Sequence, residues 1–93
     1  MRLSEKVAIV VGGGQTPGDT MGNGRATAIA FAREGARVLV ADRDVASAHE
    51  TVHMIEAAGG TAAAHEMDVT REQDVAAMVA RCAELYGRID VLH

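Results

Sequence analysis

Aromatic side chains are almost absent from this 93-residue chain, which has one Phe, one Tyr and no Trp. Phe31 and Tyr86 alone cannot form the stacking surface that single-stranded nucleic acids require. Basic charge is also scarce. Nine Lys and Arg stand against thirteen Asp and Glu, a formal net charge of -4, and no long basic run occurs. A nucleic-acid partner therefore has no electrostatic support. The single cysteine, Cys82, excludes an internal disulfide and is read most simply as a thiol in a reduced compartment. Long apolar runs are missing too. The charged stretch from Met1 to Lys6 leads into a run that soon meets Gly12, too short for a secretory or membrane segment. The expectation is a soluble, cytoplasmic protein with no membrane partner.

What is present is an ordinary globular balance, 48% apolar and 24% charged, which argues against disorder. Lys6 to Val11 (K-V-A-I-V-V) is a β-branched, unalternating run, as expected of a strand buried on both faces of a parallel sheet. A Gly-, Pro- and Asp-containing loop follows to about Met21. A helix is predicted from near Asn23 to about Glu34, with Ala26, Ile29 and Ala30 as its apolar face and Gly35 at its C-cap. Arg37 to Ala41 (R-V-L-V-A) reads as a second buried strand. Val45, Ala48, Val52 and Ile55 mark a second helix, closed by Gly59-Gly60. Thr61 to Met67 is a weaker third strand, because its alanines are poor strand formers. Thr70-Arg71-Glu72-Gln73 fits a capping box. It opens a helix whose apolar stripe is Val75, Met78, Val79, Cys82 and Tyr86, and Gly87 ends it. Ile89 to Leu92 begins a fourth strand. No internal repeat or linker interrupts this β-α-β-α-β-α-β order. The fold class is therefore α/β, a doubly wound parallel sheet of the Rossmann type with strand order 3-2-1-4.

Gly12, Asp42 and Asp68 fall at or just past strand ends, where ligands of such sheets bind. Gly12, Gly22 and Gly24 frame the turn between the first strand and helix. Glycine there lets backbone approach a pyrophosphate closely, and the helix N-terminus adds unpaired N–H donors and partial positive charge. Asp42 lies eighteen residues after Gly24, near the roughly 20-residue spacing of a ribose-binding acid. A carboxylate accepts from both ribose hydroxyls and repels a 2′-phosphate, so NAD is favoured over NADP. Its competing role as a helix cap is better filled by Asp44. Arg43 keeps the NADP alternative open, since a cation there could meet a 2′-phosphate or lie over the adenine.

At these residues the chain resembles the short-chain dehydrogenase/reductase family. V-A-I-V-V-G-G-G followed by G-N-G-R-A-T-A-I-A is similar to that family's T-G-x-x-x-G-x-G opening, and Gly12, Gly14, Gly22, Asn23 and Gly24 are the candidate cofactor-binding positions there. M-D-V-T (Met67 to Thr70) resembles the family's D-V segment, which implies that Asp68 bonds the adenine amino group and Val69 contacts the ring. Y-G-R-I-D-V-L (Tyr86 to Leu92) resembles the run-up to the family's N-N-A-G turn. Two departures stand out. Val11 replaces the first threonine of the pattern. The glycine loop is longer than the pattern, with Gln15, Thr16, Pro17, Gly18 and Asp19 in the insertion. That insertion reads as a surface excursion or, alternatively, as a flap over the pyrophosphate.

The resemblance implies hydride transfer between a nicotinamide cofactor and a small-molecule alcohol or carbonyl. Its Tyr-x-x-x-Lys pair has no counterpart here, since Asp90 stands four residues after the sole tyrosine, Tyr86. No catalytic residue is therefore assigned. Residues 1–93 are expected to be the N-terminal part of a single nucleotide-binding domain, inactive alone, from a parent that forms homo-oligomers through later helices. Two further readings remain: a non-catalytic dinucleotide-binding module, and a methyltransferase of similar sheet. His49 and His53 sit one helical turn apart but lack a third partner, so a solvated face is expected and no metal site. His65 is expected at a surface or edge position. Cys82 and Met78 are expected in the core.

Overall fold

A computed structural model of the chain describes residues 6–12, 23–68 and 70–93. Its elements are β1 (Val7–Val11), α1 (Asn23–Arg33), β2 (Arg37–Asp42), α2 (Val45–Ala57), β3 (Thr61–Glu66), α3 (Glu72–Tyr86) and β4 (Val91–Leu92). The strands form one parallel sheet in the order β3-β2-β1-β4, as the sequence predicts. β1 pairs with β2 from Val7↔Arg37 to Val11↔Ala41. β2 pairs with β3 from Arg37↔Thr61 to Asp42↔Glu66. In-phase parallel pairing brings the carboxyl ends of all three strands to one edge.

Side chains alternate across the sheet, and each face has its own core. Val10, Val38 and Val40 pack with Ala28 of α1 and with Ala48, Val52 and Ile55 of α2. Val7, Ile9, Leu39 and Ala41 pack on the other face with Met78 and Cys82 of α3. Helices thus cover both faces, which explains why β1 and β2 read as unbroken apolar runs. β3 holds six residues despite its three alanines. It docks on the buried β2, with Ala62 and Ala64 on the α1/α2 core and Ala63 on the α3 core; tertiary pairing overrides weak strand propensity. Among the described residues no helix is long and apolar enough to cross a membrane.

Four sequence expectations are corrected. First, the buried face of α1 is Arg25 and Ala28, while Ala26 and Ala30 are exposed and Ile29 is only partly buried. The face is turned by roughly 100°, one residue on a helix, because the guanidinium of Arg25 finds partners inside the fold. Second, Thr70 does not cap α3. Arg71 is the N-cap, without a side-chain cap bond, and the Thr70 hydroxyl instead donates to Asp68 Oδ1 at 2.7 Å, a charged acceptor that makes the stronger bond. The acids Glu72 and Asp74 of the first turn suit the positive end of the helix dipole. Third, Val79 leaves the apolar stripe and is exposed, while Met78 and Cys82 are buried. Fourth, β4 starts at Val91 rather than Ile89, because Asp90 is taken up in pinning β1, as its bonds below show.

The α2–β3 turn is closely packed. A Cβ on Gly60 would stand 2.7 Å from Ile55 Cγ2 and 3.3 Å from Ala32 Cβ. Ile55 is buried and stiff at χ1, so it cannot swing away. Gly60→Ala is expected to lower stability by about 1–3 kcal/mol, the usual cost of overpacking, measured as a lower urea midpoint at unchanged m-value.

Candidate functional site

The strand ends bring Gly12, Asp42, Arg43 and Asp68 of the sequence-predicted residues to one edge. Gly12 leaves β1 with a φ of +75°, a left-handed conformation that favours glycine. Its N–H donates to the Ala41 carbonyl at 2.7 Å, which sets the start of the glycine turn beside Asp42. Among the described residues nothing lies within 4 Å of where a Cβ on Gly12 would be. The Asp42 carbonyl in turn accepts from Met67 N–H at 3.0 Å, which places Asp68 next along the same edge. Gly24 lies in the first turn of α1, and the backbone of Asn23 begins that helix. Gly14, Gly22, Val69 and the loop insertion lie outside the described residues.

Asp42 is half-buried at the end of β2, and its Oδ1 accepts the Asp44 N–H at 2.9 Å. That bond holds the carboxylate at the strand tip. Asp44 caps α2, as expected: its Oδ1 accepts Ser47 N–H at 3.2 Å and its Oδ2 accepts the Ser47 hydroxyl at 3.0 Å. Those two bonds, the backbone one foremost, hold its carboxyl below the ordinary value of 3.8.

Asp68 and Arg43 share a cleft of about 370 Å³ with Glu66, Met67, Arg71 and Asp74, within the size range of small-molecule sites. Asp68 Oδ1 accepts the Thr70 hydroxyl at 2.7 Å and Thr70 N–H at 2.9 Å. Those bonds, the hydroxyl one foremost, with Arg43 and Arg71 nearby, hold its carboxyl below the ordinary pKa of a carboxylic acid. Asp68 is therefore an ionised, acceptor-only group at neutral pH. Its Oδ2 takes no hydrogen bond among the described residues. Asp74 Oδ2 reaches back from α3 to accept Asp68 N–H at 3.0 Å, fixing the turn.

A model of the short chain dehydrogenase family matches residues 6–93. The chain belongs to the short-chain dehydrogenase family. YusS of Bacillus subtilis (strain 168), a short-chain dehydrogenase/reductase homolog, is 38% identical over 99% of this chain and 80% of its own length. The crystal structure of a putative short-chain dehydrogenase/reductase from Burkholderia xenovorans is 45% identical, with a TM-score of 0.90 over 98% of this chain and 36% of that one. A metagenomic short-chain oxidoreductase solved in complex with NADP is 35% identical, with a TM-score of 0.88 over 99% of this chain and 39% of that one. Other curated relatives are longer, and the chain spans between 12% and 35% of their length.

Within a short-chain dehydrogenase chain the remaining titratable residues have structural places. Tyr86 lies at the far end of α3 from Asp74, roughly 18 Å along the axis at 1.5 Å per residue. Burial pushes its phenol above the ordinary value, the opposite of what a proton-transfer tyrosine needs. Burial likewise raises the Cys82 thiol. His49 and His53 are exposed, and no group of three metal-ligating side chains occurs among the described residues. His65 lies half-buried on the edge strand β3.

Two residues escape sequence reasoning. Arg25 is buried on α1, where its charge gave no apolar signal. Asp90 pins β1 at its start: its Oδ2 accepts Val7 N–H at 2.9 Å, its N–H donates to Val7 O at 2.8 Å, and Arg88 Nη2 lies 2.6 Å from its Oδ1. Arg88 first, then the Val7 N–H, holds the Asp90 carboxyl below its ordinary value. Because Asp44, Asp68 and Asp90 are all more acidic folded than unfolded, each adds stability that is complete above the unfolded value and lost as pH falls through the folded one. Urea midpoints are expected to fall steadily below about pH 4. Asp90→Asn should flatten that decline while lowering the midpoint at pH 7; an unchanged acid slope in the variant would contradict the role given to Asp90.

Proposed function

We propose that this chain binds a nicotinamide adenine dinucleotide across the carboxyl ends of β1, β2 and β3, NAD in preference to NADP. One observation supports the reading: two backbone bonds, Gly12 N–H to Ala41 O at 2.7 Å and Met67 N–H to Asp42 O at 3.0 Å, bring Gly12, Asp42 and Asp68 to one edge of the sheet. Gly12, Gly14, Gly22, Asn23 and Gly24 hold the diphosphate at the start of α1, where N–H donors and the helix dipole favour an anion. Asp42 accepts from the adenosine ribose hydroxyls. Asp68 accepts from the adenine amino group, with Val69 against the ring and Arg43 over it. The bound nicotinamide supplies or accepts the hydride; these residues orient it.

Residues 1–93 are the N-terminal part of a single nucleotide-binding domain in this reading. A parent containing them oxidises an alcohol or reduces a carbonyl, is cytoplasmic and assembles as a homo-oligomer. The 93-residue chain has no Tyr-x-x-x-Lys, so it binds cofactor without turnover. Calorimetric titration with NAD, NADP and S-adenosylmethionine tests the reading. Saturable binding with NAD tightest supports it. Preference for S-adenosylmethionine would sink it, and NADP binding tighter than NAD would reverse the cofactor choice.

A further inference from the structure

Arg25 and Thr51 are the buried polar residues among those described. A buried guanidinium is costly without partners, and three of its hydrogen bonds reach α2. Nε donates to Thr51 Oγ1 at 2.8 Å, and Nη2 donates to Ser47 O and to Glu50 Oε2, both at 3.1 Å. The rigid fork of arginine suits such a three-way bond, which lysine cannot copy. Arg25 directly follows Gly24 in the first turn of α1, the helix end assigned to the diphosphate. Ser47, which it grips, is bonded through both N–H and hydroxyl to Asp44, and Asp44 N–H donates to Asp42 Oδ1. A continuous path of hydrogen bonds therefore runs from the start of α1 through the cap of α2 to the tip of β2.

We propose that Arg25 is a positioning residue that fixes the diphosphate end of the site relative to the ribose carboxylate of Asp42, so that a nucleoside diphosphate meets both at once. The inference rests on the cofactor reading above and adds to it a residue that need not touch the cofactor. Engaging two groups with one rigid ligand rewards fixed geometry, whereas engaging either alone does not. Loss of Arg25 should therefore weaken ligands that span both groups and spare ligands that reach only one.

Arg25→Met suits the test. An apolar side chain of similar length in place of a buried ion is often tolerated, Glu50 is 66% exposed in its side chain and can be hydrated, and Thr51 Oγ1 keeps its 3.3 Å bond to Ser47 O. Binding of ADP and of adenosine is followed by amide NMR shifts in the wild type, Arg25→Met and Thr51→Val. Thr51→Val removes the Nε acceptor together with the hydroxyl's own bond to Ser47 O, leaves the guanidinium its Ser47 and Glu50 acceptors, and serves if the first variant does not fold. The ADP-to-adenosine affinity ratio is expected to fall about tenfold in Arg25→Met, a size common for coupling between sites, and less in Thr51→Val. Adenosine affinity should stay within about twofold. An unchanged ratio in the folded variants, or an equal loss for both ligands, would make Arg25 merely structural and overturn the inference. A wild type that binds neither ligand would instead overturn the cofactor reading itself.

Discussion

Replacing Asp42 with alanine is expected to weaken NAD binding by about 10- to 100-fold, the equivalent of hydrogen bonds to a charged acceptor at roughly 1.5–3 kcal/mol. The carboxylate sits half-buried at the tip of β2, oriented by the 2.9 Å bond from Asp44 N–H, so little ordering cost remains when it meets a ribose. NADP should respond in the opposite direction. A 2′-phosphate about 4 Å from a carboxylate is opposed by roughly 4 kcal/mol near a protein surface, and alanine removes that repulsion while Arg43 stays exposed beside the Asp68 cleft. The ratio of NAD to NADP affinity should therefore invert. Parallel titrations of both cofactors into wild type and variant measure it. Asp44→Ala is the control, because it removes the α2 cap but not the ribose acceptor; it should lower stability and leave selectivity in place. Equal affinities for both cofactors in wild type and Asp42→Ala would remove Asp42 from the site.

The parallel sheet is legible in the sequence because two-sided burial leaves a plain mark. Val7 to Val10 and Val38 to Ala41 are fully buried, and no polar residue interrupts either run. The strand ends are legible for a related reason: glycine and aspartate cannot continue such a run. Arg25 is not legible, because hydrophobic periodicity counts an arginine as solvent-facing whatever its partners. Its partners, Ser47, Glu50 and Thr51, lie at least 22 residues away in sequence. The same blindness displaced the predicted face of α1 onto Ala26 and Ala30. Thr70 misled differently. Its spacing to Gln73 satisfies a capping pattern, but spacing carries no information about Asp68, a charged competitor two residues upstream. Local patterns thus locate the elements, while long-range polar partners decide their rotation and their first turns.

The core of the α3 face sets the limit on how far the site can be perturbed. Leu39→Ala is expected to cost about 2–5 kcal/mol, a large share of the roughly 5–15 kcal/mol available to a small domain. Leu39 is fully buried in β2 and packs with Ile9, Ala41, Met67, Met78 and Cys82. Several of its neighbours are too small to fill the gap: Ala41 is on the same strand and Ala63 pairs with it on β3. Met78 is the flexible group best able to move into the cavity, so the lower half of the range applies if it does. β2 also carries Asp42, so folding and cofactor binding are linked through one strand. NAD at about 100 times its dissociation constant should return roughly 2.7 kcal/mol to any variant whose folded state binds normally. Urea unfolding of Leu39→Ala with and without NAD separates the two effects. A gain equal to that of the wild type means the cavity acts on folding alone and leaves the tip of β2 in place. A smaller gain means the cavity propagates along the strand to Asp42, and the ribose contact is lost with it.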